Sequence, residues 1–264
     1  MTSRSDARPR SLDAGSSPRT LVVDVGGSGV KAAILDPAGT AVAERLRVAT
    51  TYPCPPRRLV DDIWGLAARL GAFDRASVGF PGMVRAGRVL SASNLATTAG
   101  PGTGTAEHLV DAWRGYDLAG ALERRLGVPV RVANDADVQG AAVVCGEGLE
   151  LVLTVGTGFG TAAFYDGHLL PHLELAHHRF RKGQTYEEQL GDAARRAVGD
   201  DRWVGRVRKA LTALEALTFF DRCYIGGGNA KRLPGDLGDP GDLGDKVVIV
   251  DNTAGLFGGL RLWC

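Results

Sequence analysis

No stretch of the 264 residues is apolar for long enough to span a bilayer, so no membrane-spanning helix is expected. Cysteine is scarce. Cys54, Cys145, Cys223 and Cys264 are widely scattered, and none forms a C-x-x-C pair. That argues against a zinc knuckle or a dithiol redox motif and suits free thiols in a reducing cytoplasm. A dominant charge sign is also missing. Thirty-one Lys and Arg face 30 Asp and Glu, a net charge of +1 with no long basic run, so no nucleic-acid partner is expected. Residues 1–19 lack the apolar core of a secretory signal and read as a disordered tail. Asp6 and Asp13 speak against an organelle transit peptide. With 44% hydrophobic and 23% charged residues, the rest reads as a soluble globular chain with a sizeable core, in one large domain or two lobes.

Glycine, by contrast, is abundant and patterned. "LVVDVGGSGVKAAILD" (21–36) runs from an apolar strand through Gly26, Gly27, Ser28 and Gly29 into a second strand that ends at a "DPAG" turn. A Rossmann loop must feed a helix, and this one feeds a strand. A Walker A loop needs G-x-x-x-x-G-K-[ST], which is not the order here. What remains is a glycine-rich hairpin. It returns as "LVLTVGTGFGTAAFYD" (151–166), aligned without a gap at an offset of 130 with seven of sixteen positions identical. This predicts an internal duplication, and two such loops predict two lobes around a cleft.

Between the copies, 56–71 reads as an amphipathic helix, 75–80 as a strand, and 118–126 as a helix capped by Asp117 and stopped by Gly127. "VPVRVA" is a short strand, and the helix opening at Asp135 is expected to run to near Gly146. Later, 203–219 is a helix with Leu217 on or near its apolar side, "CYIGGG" and "KVVIVD" are strands, and 253–264 is the last helix. Alternating strands and helices make the class α/β. The tandem "PGDLGD" at 234–245 lacks the spacing of a calcium loop and reads as a surface loop.

Six segments, taken in order, resemble the ROK sugar kinases (repressor, open reading frame, kinase), and most of all the polyphosphate glucokinase branch. "DVGGSGVK" is similar to the first phosphate loop and "TVGTGFG" to the second. "VANDAD" is similar to the catalytic segment and "ELAHH" to the sugar-binding motif. "YIGGGNAKR" is similar to the adenosine-side loop and "NTAGLFGG" to the C-terminal helix. The resemblance runs from about Leu21 to the end of the chain and implies the actin-like, ribonuclease-H-like ATPase fold. Residues 20–133, together with 253–264, would form the N-terminal lobe and 134–252 the C-terminal lobe. It further implies a cytoplasmic glucokinase-like enzyme, transferring a phosphoryl group from ATP, polyphosphate or both to the 6-hydroxyl of glucose.

Read from local pattern alone, Asp135 is more readily a helix cap than a base; the resemblance reverses that order and makes it the general base. Its helix N-terminus is expected to keep it ionised at neutral pH. Gly82, Asn94, Asn134, Glu174, His177 and Glu187 would hold the sugar, with Glu188 the alternative to Glu187. Ala176 stands where the family has glycine. Gly26, Gly27, Ser28, Gly29, Thr157, Gly158, Gly227 and Gly228 would cradle phosphate through backbone N–H groups. Lys31 reaches either a phosphate or solvent. Asp24 is the Mg²⁺-side carboxylate, acting through water.

Four of the five histidines (168, 172, 177 and 178) suggest a metal cluster, but the cysteines that bind zinc in most of the family are missing. No zinc is therefore expected. Arg179, Arg181, Lys182, Lys231 and Arg232 are available to a polyanion. The implied partners are a small sugar and a second copy in a homodimer. Nineteen tail residues are too few for the helix-turn-helix of the family's repressors. The alternatives are a kinase of another hexose or amino sugar, and a sugar-binding protein without turnover.

Overall fold

The computed structural model describes residues 18–100, 103–235, 237, 243–250 and 257–263. The tail at 1–17, most of the "PGDLGD" tandem, and residues 253–256 and 264 of the expected last helix lie outside them. The chain divides into two compact units. One takes the residues up to Val138 together with the C-terminal segment, and the other begins at Gln139.

In the first unit, β1 (Thr20–Gly26) and β2 (Gly29–Leu35) form the expected hairpin. β3 (Leu46–Val48) extends it antiparallel. α1 (Pro56–Leu70) follows two prolines, one at its first position, where a missing N–H costs nothing. It buries Leu59, Val60, Ile63, Leu66 and Ala67. β4 (Arg75–Phe80) pairs parallel with β1. The short β5 (Val84–Arg85) and β6 (Arg88–Val89) pair with each other. α2 (Glu107–Trp113) precedes α3 (Leu118–Leu126). Asp117 caps α3 by accepting from the Gly120 N–H, and Gly127, at φ 76°, ends it. β7 (Val130–Asn134) then lies parallel to β4 and leads directly into α4 (Asp135–Ala141). The sheet order is β3-β2-β1-β4-β7.

The second unit repeats this plan. β8 (Leu149–Val155), β9 (Phe159–Tyr165) and β10 (His168–Leu169) are antiparallel neighbours. β11 (Arg179–Arg181) and β12 (Gln184–Thr185) form a small ribbon. α5 (Tyr186–Leu190), α6 (Asp192–Val198) and α7 (Asp200–Thr218) follow. β13 (Arg222–Gly226) and β14 (Val247–Ile249) extend the sheet in parallel from β8. The order β10-β9-β8-β13-β14 matches the first sheet strand for strand and sense for sense. Finally α8 (Gly258–Arg261) returns the chain to the first unit, where Ser77 Oγ donates to the Gly259 carbonyl at 2.6 Å.

Three expectations need correction. The gapless alignment of the two hairpins does not survive their second strands. The first hairpin closes at Gly26↔Gly29 and the second at Val155↔Phe159, around a three-residue loop. Val30, Ala32 and Ile34 therefore pack with Leu21, Val23 and Val25 in one core. Phe159 packs with Leu151, Leu153 and Val155, while Ala162 and Phe164 turn to the opposite face of the sheet with Val152. A one-residue slip in register exchanges the faces of a strand. Second, α4 stops at Ala141, short of Gly146, because Glu150 pulls the following backbone into a turn by accepting from the Cys145 and Gly146 N–H groups. Third, α7 starts at Asp200, and Leu217 is 66% exposed and outside the core.

Among the described residues, no helix is long and apolar enough to cross a membrane. Cys54 and Cys223 are buried free thiols and Cys145 is an exposed one.

Candidate active site

In the first unit the glycine loop is held by its carbonyls. Thr50 Oγ1 donates to the Gly26 oxygen and Tyr52 Oη to that of Gly27, both at 2.7 Å, and Arg47 Nη2 donates to that of Ser28 at 3.2 Å. In a planar trans peptide the N–H points opposite to the C=O. Anchoring these carbonyls from β3 and the segment after it turns the Gly27, Ser28 and Gly29 N–H groups away from those anchors, and no residue of the loop takes a positive φ. At Gly29 a side chain is excluded by close approach, since a Cβ would lie 2.8 Å from Arg47 Nε and 2.9 Å from the Val48 oxygen. Thr50, Tyr52 and Arg47 are invisible in the sequence pattern because they lie about twenty or more residues from the loop they hold.

Asp24 and Lys31 are directly opposite in the β1–β2 ladder, and their side chains form an ion pair at 2.9 Å. Lys31 thus meets a carboxylate, which neither sequence reading anticipated.

Asn134 ends β7 buried, with both faces of its amide engaged. Nδ2 donates to the Gly82 oxygen at 3.0 Å and Oδ1 accepts from the Ala136 N–H at 2.8 Å. Asn134 therefore caps α4 and holds the "FPGM" loop. Gly82 is required by the protein's own backbone: a Cβ there would stand 2.2 Å from the Ser91 oxygen. Asn94 is exposed, and its carbonyl lies 3.0 Å from Tyr52 Oη.

Asp135 corrects an electrostatic expectation. The helix N-terminus does help it, through the Ala136 N–H at 2.9 Å. Burial outweighs that, and the negative charges of Asp24 and Asp137 add to it, pushing the Asp135 carboxyl up to about 7. Asp135 is accordingly not held firmly ionised at neutral pH.

In the second unit, Glu174 precedes a 3₁₀ turn, Leu175–His177. His172 Nε2 lies 3.5 Å from it, and the close approach of this imidazole draws the Glu174 carboxyl below its usual range despite burial. Ala176 is buried in this turn. It adopts no left-handed backbone, so the replacement of glycine is accommodated locally. His177 is exposed.

The neighbouring acids of α5 are separated by geometry. Glu188 is engaged in a capping box with Thr185. Glu187 lies against the second glycine loop, its Oε2 3.1 Å from where a Gly158 Cβ would stand. Burial raises the Glu187 carboxyl, with His177 opposing and Glu174 and Glu188 adding.

The second loop is anchored as the first is. The Gly156 oxygen accepts from the Asp192 N–H at 3.0 Å and from Asn229 Nδ2 at 3.2 Å, and Asn229 also reaches Asp192 Oδ1. Gly227 takes φ +94°, and a Cβ would meet the Val155 oxygen at 2.4 Å, whereas the space at Gly228 is open. Thr157 shares its oxygen with the Asp192 N–H at 3.4 Å. Of the five basic residues, Arg232 is paired with Asp200 at 3.1 Å, while Arg179 and Arg181 sit on β11. Among the described residues, no group of three or more His, Cys, Asp or Glu side chains is placed to hold a metal ion.

The comparisons with known proteins agree with this architecture. The model of the ROK family matches residues 20–172. A polyphosphate glucokinase of Mycobacterium tuberculosis is 28% identical over 251 residues, covering 89% of this chain and 88% of its own. The crystal structure of an inorganic polyphosphate/ATP-glucomannokinase from Arthrobacter sp. strain KM superposes with a TM-score of 0.74 at 28% identity, over 92% of this chain and 97% of that one. A ROK family glucokinase from Streptomyces griseus, in complex with glucose and AMPPNP, shares the fold with a TM-score of 0.66 at 21% identity, over 92% and 98% of the chains. With its twice-built five-stranded sheet and a family match over more than half its length, this chain belongs to the ROK family and has the family's actin-like ATPase fold.

Proposed function

We infer that this chain is a glucokinase-like sugar kinase, a phosphotransferase with the 6-hydroxyl of glucose as acceptor and polyphosphate, ATP or both as donor. The observation that carries the mechanism is Asp135, a buried carboxyl raised to about 7 at the start of a helix, in the unit that also holds the anchored loop Gly26–Gly29. A group titrating near the working pH is suited to take the proton of an attacking hydroxyl. Glu174, His177 and Glu187 are the second unit's candidates for holding the sugar's other hydroxyls, and Asn94 and the backbone at Gly82 are the first unit's. The two glycine loops, with Thr157, Gly227 and Gly228, would bind donor phosphates.

Asp24 would be the carboxylate on the Mg²⁺ side; Lys31 engages one of its oxygens, Oδ2, and its charge bears on Asp135. Bound there through water, the ion would offset phosphate charge. A donor with a long polyanionic tail would be met by Arg179, Arg181 and Lys182.

The test is glucose 6-phosphate formation by the purified protein, with ATP and separately with polyphosphate. Turnover with at least one donor is expected. Turnover with another hexose or an amino sugar but not glucose would change the substrate. Measurable glucose binding without turnover on either donor would turn the reading to a sugar-binding protein.

A further inference from the structure

Tyr52 lies outside every motif, yet its hydroxyl touches two of the segments just described. Its oxygen is 2.7 Å from the Gly27 carbonyl in the first glycine loop and 3.0 Å from the Asn94 carbonyl. A phenol carries a single proton, and neither carbonyl can donate. The two acceptors therefore compete for one hydrogen bond. The ring is held in place, packed on the core of the first unit and against Gly100. Burial, with the Cys54 charge adding, raises the phenol above its ordinary value, so the proton stays on Tyr52 throughout the working pH range.

The Gly27 carbonyl and the Ser28 N–H belong to one peptide group. An anion accepting from that N–H polarises the peptide and makes its carbonyl a stronger acceptor. The Tyr52 proton is then drawn to Gly27, and the Asn94 carbonyl, left with only the long 3.4 Å bond from Thr97 Oγ1, gains the capacity to accept from a sugar hydroxyl. We propose that the Tyr52 hydroxyl couples donor binding at the first glycine loop to sugar binding at the Asn94 segment, so that each ligand tightens the other. This rests on the sugar-kinase reading above and makes Tyr52 a positioning residue rather than a catalytic one.

The experiment measures glucose affinity by calorimetry with and without saturating AMPPNP, in the wild type, Tyr52→Phe and Thr50→Val. Tyr52→Phe removes one oxygen and keeps the ring, and its melting temperature serves as the check on folding. In the wild type the analogue should tighten glucose binding about five-fold or more, within the usual range of coupling between sites. In Tyr52→Phe that factor should fall to about one. Thr50→Val breaks a neighbouring anchor, at Gly26, without touching Asn94. It should weaken AMPPNP while leaving the coupling factor intact. An unchanged factor in Tyr52→Phe would overturn the proposal. So would equal loss of coupling in both variants, which would reduce Tyr52 to loop support. A wild type that phosphorylates no sugar overturns the kinase reading itself, a result distinguishable from either.

Discussion

Asp135 shows at the residue scale how burial and a helix terminus compete. Its carboxyl is raised from an ordinary 3.8 to about 7. The folded protein therefore holds this proton more tightly than the unfolded chain between those values. Stability is lost as pH rises through the window and is lowest, for this group, above about 7. Asp135→Asn should consequently raise the melting temperature at pH 8 while lowering turnover by roughly 10²–10⁴-fold, with sugar affinity little changed. The wild-type kcat/KM should fall on the acid side with a midpoint near 7, the value at which Asp135 loses its proton. The pair Glu187 and Glu188 makes a second contrast. Glu187→Gln should raise the sugar KM by about ten-fold, whereas Glu188→Ala should leave KM alone and cost about 0.5–2 kcal/mol in denaturant unfolding through the lost capping box. The order of residues in "YEEQL" could not separate these two acids. Which of them faces the glycine loop is set by the helix start at Tyr186 and by where Gly158 lies.

At the scale of elements, the helices were legible where their ends are chemically marked. The prolines before α1 and the Asp117 and Gly127 bounds of α3 are local signals, and the structure keeps them. α4 is different. Its apolar continuation through Val143 and Val144 reads as helix, but Glu150, fully buried on β8, accepts from Cys145 and Gly146 and from the Tyr224 hydroxyl at 3.0 Å. Burial alone would raise the Glu150 carboxyl, and these donors bring it below its usual range. Glu150→Ala leaves two backbone N–H groups and a phenol without their acceptor. It should destabilise the protein by on the order of 3 kcal/mol, read from denaturant midpoints. The glycine loops obey the same rule. Their residue types are local, but the hydrogen bonds that aim them come from Tyr52, Thr50 and Arg47 in one unit and from Asp192 and Asn229 in the other.

At the scale of the whole molecule, the first unit is completed by residues far along the chain. The guanidinium groups of Arg75 and Arg131 both lie over the Trp263 ring, 5.0 and 4.5 Å from its centroid, and its Nε1 donates to Ser77 Oγ at 2.8 Å. Gly259 sits so near Val22 that a Cβ would lie 2.5 Å from Cγ1. Trp263→Ala should lower stability by about 1–3 kcal/mol, seen as a drop in melting temperature, by removing two cation–π contacts and a hydrogen bond. Glucose KM should be unchanged in this variant, because none of the candidate sugar residues touches Trp263.

The sequence alone determined what depends on local composition and periodicity. It set the α/β class, the two strand–turn–strand units, the marked helix ends and the positions of the candidate chemical groups. Tertiary structure decided what depends on long-range partners. It fixed the register of the second hairpin, where closing one residue earlier reverses the faces of β9. It also decided the early end of α4, the pairing of Lys31 with Asp24, and the engagement of Asn134 by Gly82. The charge state of Asp135 belongs to the same group. A helix N-terminus is visible in one dimension, but the desolvation that overrides it arises only when Asp24 and the surrounding core are brought against the same carboxyl.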